Sequence, residues 1–223
     1  MALERQLTVA RTARYYQLGE LTAATRQVWF VCHGYGQLAA YFVRHFAGLT
    51  AADPTLVVIA PEGLSRFYLQ GNGGRVGASW MTREDRLSEI DDYVAYLNQL
   101  SSAVLSSCPT PPSVTVLGFS QGAATVSRWL ARAPFRPSRL ILWAGAFPED
   151  IDFTVATHLL HALPISLVCG DQDEYISAEA LNRQVAFLRG LGVEPEVRCF
   201  AGKHELNAAL LQQLRQDASP GAL

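Results

Sequence analysis

Five residues, Gly118-Phe119-Ser120-Gln121-Gly122, set a serine between two glycines. They follow the strand-like run Ser113–Phe119 and precede a helical stretch. A glycine–X–serine–X–glycine turn between strand and helix lifts the hydroxyl above the carboxyl end of a sheet, at the positive end of the next helix. A serine hydroxyl is a weak nucleophile until a base takes its proton. When serine sits in such a turn, an acid and then a histidine base follow it in the chain. Three histidines lie downstream, His158, His161 and His204, and only His204 comes after the last predicted strand. The acid is expected just beyond the strand before it, in Cys169-Gly170-Asp171-Gln172-Asp173-Glu174. Asp171, Asp173 and Glu174 compete there, and distance from the strand end favours Asp173. Glu149, Asp150 and Asp152, after the preceding strand, are weaker candidates.

Attack on a carbonyl also requires donors for the oxyanion. One is the backbone N–H of Gln121, directly after the serine. The second is expected in His33-Gly34-Tyr35-Gly36, after an early apolar strand, where glycines let backbone approach a substrate. The Tyr35 N–H is the preferred donor, and His33 reads as structural.

These residues need a scaffold that brings distant segments to one edge. Continuous apolar runs at Val28–Gly34, Thr55–Pro61, Ser113–Ser120, Arg139–Gly145 and Ile165–Gly170 suit strands buried on both faces. Glu194–Phe200 reads as a further strand. Helical stretches alternate with them at Leu38–Leu49, Arg83–Leu105, Gln121–Ala133, Ser177–Leu191 and His204–Leu214, with a weaker one near Thr154–His161. Ile90, Tyr93, Val94, Leu97 and Leu100 form one helical stripe. Such alternation predicts an α/β fold, a mainly parallel central sheet flanked by helices, in a single domain over 1–223. Leu7–Ala10 and Tyr15–Leu18 can form an antiparallel N-terminal hairpin. From Glu62 to Met81 periodicity disappears, and a long loop is expected there, closing over Ser120 as a lid. Phe67, Tyr68 and Trp80 are its candidate substrate-binding residues, although a packing role for Trp80 is an equal alternative.

Composition narrows the field. Hydrophobic residues are 49% of the chain and charged ones 17%, which argues against disorder. Net charge is −2 with no basic block, so nucleic acid is not an expected partner. The four cysteines have no C-x-x-C pair, and no H-x-H or H-E-x-x-H occurs, so no metal or other cofactor is expected. No apolar run approaches the ~20 residues of a membrane span, and no signal-peptide pattern opens the chain. A cytoplasmic protein with free thiols, without integral membrane association, is expected. A homodimer is compatible with the sequence.

Taken together, HGYGQ, APEG, GASW, GFSQG, GDQDEYIS and GKHE resemble the phospholipase/carboxylesterase family of α/β hydrolases, which includes acyl-protein thioesterases. The resemblance covers the chain from about Arg26 onward. It implies a nucleophile at Ser120, an acid at Asp173, a base at His204 opening the last helix, and a second oxyanion donor at Tyr35. Two departures fall near the pocket. Tyr35 stands where thioesterase members carry leucine, and Trp80 is followed by Met81-Thr82 where they carry Phe-Asp. The implied activity is therefore a serine carboxylesterase acting on short or medium acyl esters of small molecules through an acyl-enzyme. A lysophospholipase or S-acyl thioesterase is the alternative, and a non-catalytic binding protein on the same scaffold is the alternative of a different class.

Overall fold

The computed structural model describes residues 2–151, 160 and 163–217. Nine strands are described. They are β1 (Tyr15–Leu18), β2 (Gln27–Cys32), β3 (Leu56–Pro61), β4 (Ser65–Gln70), β5 (Gly73–Ser79), β6 (Ser113–Phe119), β7 (Arg139–Trp143), β8 (Ile165–Gly170) and β9 (Glu196–Phe200). The helices are α1 (Ala39–Phe42), α2 (Ala47–Ala52), α3 (Arg86–Ser106), α4 (Gln121–Leu130), α5 (Ala178–Gly190) and α6 (Ala208–Asp217). A 3₁₀ turn, Val43–Phe46, joins α1 to α2.

Seven strands form one sheet in the order β1-β3-β2-β6-β7-β8-β9. All neighbours are parallel except β1, which runs antiparallel to β3. Strands β2, β3, β7 and β8 are buried along their whole length, as their unbroken apolar runs require. Alternate side chains feed two cores. Val28, Phe30 and Val116 pack with Tyr93, Leu97 and Trp129 from α3 and α4. Trp29, Val31 and Leu117 face the other way, onto Phe46, Leu211 and Leu214. The α3 stripe is buried as its spacing predicts.

Several local expectations are corrected. Tyr15–Leu18 is an antiparallel edge strand, but its partner is β3, and Leu7–Ala10 forms no strand. The antiparallel hairpin lies instead at β4–β5, inside the segment expected to be an irregular loop. Glycines in β5 and at the turn leave the sequence there without the two-residue alternation that marks a strand. The Leu38–Leu49 helix is broken into three short pieces. The closing helix begins at Ala208, where the Asn207 side chain accepts from the Leu210 N–H at 2.9 Å. His204 therefore sits in the preceding loop. The weak helix near Thr154–His161 lies outside the described residues, apart from Leu160.

Candidate active site

Strand β6 ends at Phe119 and α4 begins at Gln121, leaving Ser120 alone in the turn. Its backbone adopts φ 54° and ψ −118°, a conformation that costs on the order of 1–3 kcal/mol for a residue with a side chain. The surroundings hold it there. The Ser120 N–H donates to Trp143 O at 2.8 Å, and a side chain at Gly122 would strike the Cys32 carbonyl on β2. Close packing of α4 on the neighbouring strand thus requires glycine at that position.

The loops after β8 and β9 deliver the other two side chains. His204 Nε2 lies 3.0 Å from Ser120 Oγ, and Nδ1 lies 2.9 Å from Asp173 Oδ2. With Nδ1–H donating to the carboxylate, Nε2 is free to accept the serine proton. The Asp173 side chain is fully buried and that of His204 is 18% exposed. Asp173 Oδ1 accepts from the N–H groups of Tyr175 at 2.8 Å and Ile176 at 3.1 Å. Two of the competing acids are engaged elsewhere. Asp171 accepts from the Gly202 N–H at 3.0 Å and so ties the two loops together. Asp150 is ion-paired with Arg86 and Arg128. Asp152, His158 and His161 lie outside the described residues.

Two contacts at His204 have no counterpart in the sequence reading. Its ring packs between Phe119 at 5.0 Å and Tyr175 at 4.7 Å between centroids, although Tyr175 is 70% exposed. Both residues are immediate or near neighbours of Ser120 and Asp173, which is the only signal that could have marked them. The Gln121 side chain was also missed. Its Oε1 accepts from the Trp80 N–H at 3.1 Å and its Nε2 donates to Met81 O at 2.8 Å, so the turn is fastened to the end of β5.

The opposite wall is the loop after β2. The Gly34 N–H donates to Gln37 Oε1 at 2.8 Å, the Gly36 N–H to Ala78 O at 2.8 Å, and the Gln37 N–H to Gly34 O at 3.2 Å. Among the described residues none accepts from the Tyr35 N–H or the Gln121 N–H. His33 is buried, with Nδ1 at 2.7 Å from Gly34 O and Nε2 accepting from the Gly63 N–H at 3.0 Å. Burial lowers its pKa, which keeps the ring neutral and able to accept.

The three proposed substrate-contact residues part company. Phe67 stacks on Tyr35 with centroids 5.1 Å apart, beside the loop. Tyr68 follows it in β4 and so faces the other side of the hairpin, half exposed. Trp80 is 2% exposed, stacked on His33 at 5.0 Å, and its indole donates to His33 O at 2.8 Å. It packs beneath the loop, with the Tyr93 ring as a second neighbour at 6.2 Å.

Residues 20–217 match the family model described as phospholipase/carboxylesterase. The chain belongs to that family. Phospholipase/carboxylesterase members are esterase- and thioesterase-type hydrolases, and the solved structures that resemble this one fit the assignment. Acyl-protein thioesterase 2 of Zea mays superposes with a TM-score of 0.68 at 18% identity, covering 93% of this chain and all of that one. A carboxylesterase from Mesorhizobium loti gives 0.67 at 21% identity, over 92% and 94% of the two chains. A phospholipase/carboxylesterase from Dyadobacter fermentans gives 0.67 at 13%, over 95% and 98%. At these identities the likeness speaks for the α/β-hydrolase fold. No curated protein sequence matches the chain. No described helix is long and apolar enough to cross a membrane.

Proposed function

We propose that the chain is a serine carboxylesterase whose nucleophile is Ser120, base His204 and acid Asp173. The observation that carries this reading is the unbroken hydrogen-bonded series from Ser120 Oγ through both His204 nitrogens to the buried Asp173 carboxylate. As Ser120 Oγ attacks the ester carbonyl, His204 Nε2 takes its proton, and the imidazolium formed is stabilised by Asp173. The carbonyl oxygen becomes an oxyanion that accepts from the Tyr35 and Gln121 N–H groups. Collapse of this intermediate expels the alcohol, which takes the proton from Nε2 and leaves an acyl group on Ser120. Water, deprotonated by the same nitrogen, then repeats the attack and releases the acid.

The acyl groups proposed are short or medium. Phe67 stacked on Tyr35 narrows the space beside the oxyanion loop, a role that Tyr68 and Trp80 do not share. The partner is a small-molecule ester. Two experiments test the reading. A fluorophosphonate probe should label the protein at Ser120 and leave Ser120→Ala unmarked. A p-nitrophenyl ester series from acetate to palmitate should peak before palmitate. Failure to label Ser120 would leave a non-catalytic protein, and faster turnover of palmitoyl-CoA than of butyrate esters would point to a thioesterase.

A further inference from the structure

Glu62 directly follows β3 and its side chain is fully buried. A carboxylate in such a place needs partners on every side. Oε1 accepts from Arg14 Nε at 2.6 Å and Arg66 Nε at 2.7 Å, while Oε2 accepts from the Ala39 N–H at 3.2 Å. These partners come from three separate segments: the N-terminal stretch before β1, the hairpin strand β4, and the first residue of α1. Leu38, which precedes α1, supplies no side-chain cap, so Glu62 caps that helix from outside. The next residue, Gly63, donates to His33 at the other end of the same loop. Residues 34–38 are therefore suspended between two points fixed by Glu62 and Gly63.

The hairpin closes the third side. Gln37 bridges to Ala78, Phe67 stacks on Tyr35, and a side chain at Gly77 would collide with the Gly36 backbone. Arg66 ties this hairpin to Glu62. We infer that Glu62 is a positioning residue for the oxyanion loop: it sets the Tyr35 N–H by joining α1, the hairpin and the Arg14 segment on one carboxylate. The charged groups facing the carboxylate are Arg14 and Arg66, with the Tyr96 hydroxyl behind, donating to Arg14 O at 3.0 Å. Part of the oxyanion geometry is thus held by a stretch of chain, around Arg14, that contributes nothing to the proton relay.

The inference rests on the esterase reading, and its test separates the two. Glu62→Gln keeps an acceptor for Ala39 but removes the charge that holds both arginines. Its kcat for p-nitrophenyl butyrate should fall about tenfold with KM changed less than about twofold, since only a transition-state contact is disturbed. Phenylboronic acid adds to a serine oxygen to give a tetrahedral boronate, whose hydroxyl occupies the oxyanion position. Its Ki should rise by a similar factor. Arg14→Met, at a half-exposed side chain, should give a smaller loss in the same direction, and the double variant should be no worse than Glu62→Gln alone, because both act through one carboxylate. Unchanged kcat and boronate Ki in both variants, with only a lower melting temperature, would overturn the inference and leave the esterase reading intact. A wild-type protein unlabelled by fluorophosphonate at Ser120 would overturn both.

Discussion

The two sides of the site are built by different means. On the proposed proton-relay side, Ser120, Asp173 and His204 would act through their own side chains; Ser120 directly follows β6, while Asp173 and His204 lie in the loops after β8 and β9. Backbone groups hold two of them: Trp143 O, at the end of the adjacent strand β7, for Ser120, and the Tyr175 and Ile176 N–H groups for Asp173. On the proposed oxyanion side, the working group is a backbone N–H, and side chains hold its loop: Gln37 from within it, and Glu62, Arg66 and Phe67 from farther along the chain. The first side puts its chemistry in residue identity. The second puts it in shape, and shape is recorded across the chain.

Substitutions should separate the two sides by size of effect. Ser120→Ala and His204→Ala should each cost roughly 10⁴ to 10⁶ in kcat, and their combination little more, because the members act as a unit. Additive losses in steady-state assays would break the pairing of Ser120 with His204. Asp173→Asn should cost on the order of 10⁴, since the amide favours the wrong tautomer and cannot stabilise the imidazolium. Asp171→Asn should be far milder, weakening only the tie to Gly202. The reverse ranking would move the acid.

On the oxyanion side the effects should be smaller and of another kind. Trp80→Ala should lower stability by about 3–5 kcal/mol in urea titrations, as large-to-small core changes do, with the acyl-length optimum unmoved. A shifted optimum at unchanged stability would return Trp80 to the pocket wall. Phe67→Ala should move that optimum to longer chains, each extra methylene accommodated adding about 0.8 kcal/mol of apolar burial. Tyr68→Ala, on the opposite face of β4, should not move it.

The smallest expected effect is on pH dependence. Burial lowers the His33 pKa, so the unfolded chain binds a proton that the folded chain refuses. Stability from this residue is full above the ordinary histidine value of about 6.5 and declines as pH falls below it. For Glu62, burial pushes the pKa up, but hydrogen bonds from Arg14 and Arg66 outweigh it and hold the carboxyl below its usual range. Its stabilisation is present above the carboxylate's ordinary value and is lost as pH falls through the folded one. The melting temperature should therefore drop between pH 7 and 5, and His33→Gln should flatten that slope. A variant slope equal to the wild type would remove His33 from the account.

The same division explains what could be read in the sequence. The buried strands, the α3 stripe and the positions of Ser120 and His204 follow from local runs and chain order. Asp173 needed the family pattern, because Asp171 and Glu174 fit the strand end nearly as well and only the folded loop turns Asp171 toward Gly202. The β4–β5 hairpin was hidden because Gly71, Gly73, Gly74 and Gly77 erase the alternation that marks a strand. Glu62 was hidden more deeply. Nothing beside it in sequence says that it is buried, and Arg14 meets it from 48 residues away.

The sheet order has a bearing on biosynthesis. Strand β9 occupies the open edge next to β8, and His204 lies beyond it in the chain. Ser120, its turn and the whole oxyanion loop are translated well before that strand. On the proposed reading, the serine lacks its base until β9 docks, so a nascent or truncated chain is expected to be inactive. On that reading, hydrolytic competence would mark completion of the sheet. A chain stopped before Glu196 is expected to resist fluorophosphonate even where its earlier strands have folded.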